Sequence, residues 1–150
     1  ASDVYKRQAL NHIQDIPTSS LHRAIFQKMY LVSVPLESLE YEEIAVRGLI
    51  DYYLHLGSKP GTLAARYEDL AAIFEEKGDT TSEIAFYKKS INLRRENNLY
   101  DSLYWPIKML TKTYISNGLN PLDDNVFIEC MEEMPLEDNQ EIVELINKSS

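Results

Sequence analysis

Three copies of one short pattern restrict this chain more than anything else in it. Val46-x-x-Leu49-Ile50-x-x-Tyr53 is followed four residues later by Gly57, Tyr67-x-x-Leu70-Ala71-x-x-Phe74 by Gly78, and Ile107-x-x-Leu110-Thr111-x-x-Tyr114 by Gly118. Apolar residues at i, i+3, i+4 and i+7 share one face of an α-helix, and a glycine just beyond supplies the left-handed residue with which many helices close. The glycines stand 21 and then 40 residues apart, near one and two steps of a helix plus its turn. Repetition at such a period is the signature of stacked helical hairpins, none of which covers its apolar face without the next. The expected fold is all-α, an array of stacked antiparallel helical hairpins.

The same period and its punctuation place helices at 9–14, 20–33, 37–56, 61–77, 81–98, 102–117, 123–133 and 137–148. Pro17, Pro35, Pro60, Pro121 and Pro135 fall between or at the edges of these segments. Gly57, Gly78 and Gly118 sit where a C-terminal cap needs positive φ. Thr80-x-x-Glu83 reads as a capping box opening the helix at 81–98. Pro106 lies a turn into the segment 102–117 and must cost it a hydrogen bond or move its start.

With 150 residues, 44% of them hydrophobic, the chain is long enough for one continuous core. No uncharged apolar stretch approaches the length needed to cross a bilayer. The net charge of −9 opposes binding to nucleic-acid phosphates, which calls for a positive footprint, and suits a basic partner. Cys130 is the only cysteine, so no intrachain disulfide or multi-cysteine zinc site is available.

Two resemblances extend this reading. Asp3-Val4-Tyr5-Lys6-Arg7-Gln8 resembles the frame translation of GATGTGTATAAGAGACAG, the transposon end used in sequencing libraries. It implies that residues 1–8 are a non-native scar on a metagenomic fragment, that the native part carries −10, and that the coding region continues upstream. Compartment is then undetermined, cytoplasmic or periplasmic. The stretch from Arg66 to Leu93 resembles a tetratricopeptide repeat. Tyr67, Leu70, Ala71 and Phe74 fall on the family's first-helix signature, Gly78-Asp79 on its turn, and Ile84, Tyr87, Ser90, Ile91 and Leu93 on its second helix. Glu83 stands where the family prefers alanine, no proline follows Leu93, and the spacing of 40 exceeds the usual 34. The region 9–120 is also similar to divergent tetratricopeptide regions of Bacteroidota sensor and regulatory proteins. This implies a repeat domain over 9–120, with 121–150 a short helical hairpin or degenerate terminal repeat.

No residue pattern points to catalysis, to a cofactor or to a metal. His12, His22 and His55 are not at ligand spacing, and no phosphate loop or nucleophile elbow occurs. Cys130 reads as a packed thiol. Asp123, Asp124 and Glu129 lack the ligand order and the central glycine of a calcium loop. The chain reads as a non-enzyme.

What remains is a surface. The family resemblance implies that first helices line a concave groove that takes a partner protein or peptide. By register that groove would present Ala65, Glu68, Ala72 and Glu75 from one helix and Trp105, Lys108 and Lys112 from another. The family's carboxylate clamp, built on lysines and asparagines, is not matched, because Glu68 and Ala72 take its places. Glu68 and Glu75 are expected either to pair with Lys108 and Lys112, or to flank Trp105 as the anchor for a peptide of mixed charge. The function implied is a protein- or peptide-binding module of a larger regulatory, signal-transducing protein. The alternatives are a peptide-signal receptor of the long-repeat regulator class, or the sensing region of a histidine kinase or transcription regulator.

Overall fold

A computed structural model describes residues 20–33 and 35–150. The helix expected at 9–14 and the segment 1–8 lie outside them. Among the described residues the fold is all-helical: α1 (Ser20–Ser33), α2 (Leu39–Leu56), α3 (Pro60–Glu76), α4 (Thr80–Glu96), α5 (Tyr104–Ser116), α6 (Asn125–Glu133) and α7 (Leu136–Lys148), with 3-10 turns at Tyr100–Ser102 and Pro121–Asp123. The described residues fall into two compact units, one ending at Arg66 and one spanning Tyr67–Ser150.

In the first unit α1 and α2 pack as a hairpin. Ala45, Val46, Leu49, Ile50 and Tyr53 form the buried face of α2, which is the 3.6-residue period of the sequence made solid. Close packing of the pair rests on Gly48, where an added Cβ would stand 2.5 Å from three ring atoms of Phe26. Phe26 is itself buried, so its ring must shift within a packed interior to admit the methyl group. Gly48→Ala is therefore expected to cost about 1–3 kcal/mol through overpacking, outweighing the roughly 1 kcal/mol that alanine gains in helix propensity. A lowered urea midpoint, set beside Lys28→Ala on the exposed side of α1, which is expected to stay within about 0.5 kcal/mol, checks this.

In the second unit the helices run antiparallel in succession. Phe86 of α4 stacks on Phe74 at 5.5 Å and on Tyr67 at 6.3 Å, both on α3. Thr80 Oγ1 donates to Asn117 Oδ1 at 3.1 Å near the far end of α5. The core gathers Ala71, Tyr87, Ile91, Leu103, Ile107 and Leu110 with Phe127, Cys130, Met131 and Ile142, so residues 121–150 share one interior with the helices before them.

Helix ends follow the glycines, with local corrections. Gly78 and Gly118 adopt φ of 73° and 68°. Each closes its helix with the same pair of bonds: Asp79 N–H to Phe74 O and Gly78 N–H to Glu75 O, then Leu119 N–H to Tyr114 O and Gly118 N–H to Ile115 O. That is the Schellman arrangement. Gly57, with φ of 69°, uses a single bond to Tyr53 O instead. Helix α4 stops at Glu96 rather than 98, because Asn98 takes φ of 55° and the same Schellman role without a glycine.

The capping box at Thr80 is corrected. Asp79 is the cap, its carboxylate accepting from Ser82 N–H at 3.1 Å and from the Ser82 hydroxyl at 2.7 Å. These bonds hold the Asp79 carboxyl below the usual range. Thr80 becomes the first helical residue and Glu83 turns inward. Pro106 moves the start of its helix, as its chemistry requires. A 3-10 turn precedes Tyr104, leaving the proline in the first turn, where no intrahelical donor is needed.

The buried register repeats at 40 residues well beyond the glycines. Leu70, Ala71, Ile73, Tyr87, Ser90, Ile91 and Arg94 are buried, and so are Leu110, Thr111, Thr113, Phe127, Cys130, Met131 and Met134. Helix α6 thus occupies in the second hairpin the place that α4 occupies in the first. The pattern at Val46 belongs to a different register. Val46, Leu49, Ile50 and Tyr53 stand 41 residues before Tyr87, Ser90, Ile91 and Arg94, so α2 corresponds to α4 and not, as its sequence suggested, to α3 and α5.

Candidate functional site

The second unit holds every residue singled out for the groove except Ala65, and the structure divides them between two neighbours. On α3, Glu68 is turned onto α4. Its Oε1 accepts from the Ser90 hydroxyl at 2.6 Å and from Arg94 Nη2 at 2.7 Å. Both charged side chains are nearly enclosed, so Glu68 packs two helices together and does not stand open to a partner. Glu75, one further turn along the same stripe, is exposed but lies close enough to α4 to raise the pKa of both Glu83 and Tyr87. Ala72 is exposed beside them. Ala65 is half-buried.

On α5, Trp105, Lys108 and Lys112 follow the spacing i, i+3, i+7 and share one stripe. Trp105 is 55% exposed although it is the chain's one tryptophan. Lys112 is exposed and Lys108 half-buried. Lys108 Nζ donates to the Tyr104 hydroxyl at 3.1 Å, and that hydroxyl donates to Glu141 Oε2 at 2.5 Å. The Tyr104 contact, with the nearby Glu141 charge, raises the Lys108 pKa. This chain of bonds ties α5 to α7 across a cleft of about 350 Å³, whose lining includes Ile142, Leu145, Glu144 and Lys148. Lys108 and Glu141 are thus both tied to Tyr104 beside apolar side chains, an arrangement suited to a peptide's mixed groups. The expected pairing of Glu68 and Glu75 with Lys108 and Lys112 is replaced by Glu68 with Arg94 and Lys108 with Tyr104.

The acidic stretch is organised by cations and a phenol. Burial alone would push the Asp124 carboxyl up, but the Tyr114 hydroxyl at 2.6 Å and Lys88 Nζ at 2.9 Å hold it below the usual range. It also caps α6 through Val126 N–H at 3.0 Å. Glu129 and Glu133 both receive Arg95, at 2.9 and 2.7 Å. These links run from Lys88 to Asp124 and from Arg95 to Glu129 and Glu133, so α4 and α6 lie parallel. Lys88 and Arg95, on one face of α4, each hold α6 in place. Only their spacing at i and i+7 hinted at it.

Cys130 is buried within the core, and burial pushes its thiol up to about 11, which keeps it protonated and unreactive at neutral pH. His22 is buried and His55 exposed; His12 lies outside the described residues. No helix among the described residues is long and apolar enough to cross a membrane. Comparison with protein-family models, with curated proteins and with solved structures returns no match.

Proposed function

We propose that this chain is a protein- or peptide-binding helical-repeat module of the tetratricopeptide type, serving a larger regulatory protein, with its binding face on α5 and α7. One observation carries the reading: the 40-residue recurrence of buried register, Schellman caps and parallel second helices across 67–94 and 107–134. Arrays of that kind set successive first helices side by side and use their shared face for binding. In this chain that face offers Trp105 as the anchor. A large ring left half in solvent, one helical turn from Lys108, which itself lines a cleft with Glu141 and Lys148, has the composition of an interface centre rather than of ordinary surface.

Glu68 has no part in this site, since its carboxylate is committed to α4. The partner is a segment of mixed charge carrying an apolar residue for the cleft. Selection of binders from a peptide-display library against the full chain tests the proposal. Trp105→Ala is expected to weaken a selected peptide by about tenfold or more, and Lys108→Glu to lower affinity for its acidic positions. Unchanged affinity in both variants sinks the α5 site.

A further inference from the structure

Glu83 is a carboxyl 5% exposed in the interior between α4 and α5, and the binding surface makes no use of it. Its Oε1 lies 2.5 Å from Thr113 Oγ1, and the same Thr113 Oγ1 lies 2.9 Å from Met109 O. A threonine hydroxyl carries one proton and gives it to one acceptor only. Were Glu83 ionised, that proton would go to the carboxylate. Thr113 Oγ1 and Met109 O would then face each other at hydrogen-bond distance with no hydrogen between them. With the proton on Glu83, both contacts are satisfied in sequence: Glu83 O–H donates to Thr113 Oγ1, and Thr113 O–H donates to Met109 O.

We propose that Glu83 is held as the neutral acid in the packed structure and acts as a proton-operated latch between α4 and α5, released when it ionises. The groups around it favour this state. From α3 the facing charge is the Glu75 carboxylate; along α4 lie Tyr87 and, a turn earlier, Asp79; from α5 the facing group is the uncharged Thr113, with Lys112 exposed. Burial chiefly, and then Glu75, raise the Glu83 pKa above the 4.5 of an unperturbed glutamate, while the Thr113 hydroxyl alone works against them. A raised folded-state pKa fixes the sign of the response. The latch contributes fully below pH 4.5 and is lost as pH rises through the folded-state value. This inference is independent of what the α5 surface binds.

The test is thermal unfolding of the full chain across pH, wild type against Glu83→Gln. Glutamine donates to Thr113 Oγ1 as the acid does and has no proton to lose. The two Tm values are expected to lie together at about pH 4.5, with the glutamine variant ahead by on the order of 3 °C once Glu83 has ionised. A Tm difference that stays constant with pH overturns the latch. Should the variant not fold, the carbon-13 carboxyl resonance of Glu83 in the wild type decides: a midpoint above 4.5 supports the neutral acid, and one below it overturns the proposal.

Discussion

Glu68→Ala is expected to lower the stability of the second unit by about 3 kcal/mol, a larger effect than its place on a candidate groove would suggest. Removing the carboxylate leaves the Arg94 guanidinium, 9% exposed, with Ser90 Oγ at 3.4 Å as its remaining contact in the cluster. An uncompensated charge in that position carries its desolvation cost without the attraction that offset it. Urea unfolding followed by circular dichroism reads this as a lowered midpoint at unchanged slope. The cost belongs to the orphaned charge more than to the lost bond. Accordingly Glu68→Ala combined with Arg94→Met is expected to recover most of the stability, because no buried ion remains.

The second repeat has already made that exchange. Forty residues on, Ser90 and Arg94 are replaced by Cys130 and Met134, both buried, and Glu68 by Lys108. Apolar neighbours offer that lysine nothing, so it swings to Tyr104 at 3.1 Å and reaches the cleft between α5 and α7. One register position therefore becomes a packing residue in the first repeat and a surface residue in the second. The identity of the residues opposite it on the second helix decides which.

That dependence explains how much of the molecule was legible. Helices were, because their signal is local: the period of Val46 to Tyr53 and the glycine at 57 need only neighbouring residues. Caps were partly legible. Gly78 and Gly118 announce a left-handed residue, whereas Asn98 fills the same role with a side chain that also serves elsewhere. Asp79 displaced Thr80 as a cap because its carboxylate reaches both the backbone and the hydroxyl of Ser82, a preference the Thr-x-x-Glu pattern does not encode. The site was the least legible. Glu68 and Lys108 carry the same position within the repeat, and only residues 22 to 33 places further along the chain, Ser90, Arg94 and Glu141, send one inward and leave the other at the cleft.

The largest effect is expected from Phe127→Ala, at about 3–5 kcal/mol. Phe127 is 1% exposed and meets the Tyr114 ring edge-on at 6.4 Å. Its deletion removes the transfer energy of a whole ring and leaves a cavity against Cys130 and Met131, members of the same core. It also strips the packing from Tyr114, whose hydroxyl anchors Asp124 at the start of α6. Ile128→Ala, one residue on and exposed, is the matched control and is expected to stay within about 0.5 kcal/mol. The pair separates two views of residues 121–150. If they form an appendage to a repeat domain ending at Asn120, both substitutions cost little and the main unfolding transition does not move. If α6 is the second helix of the second repeat, as its shared register with α4 indicates, Phe127→Ala shifts the cooperative transition of the whole unit. The same reasoning gives α7 its part: Ile142 is buried in that core with Ile146 packed against it, and Leu145 lines the cleft that α7 shares with α5.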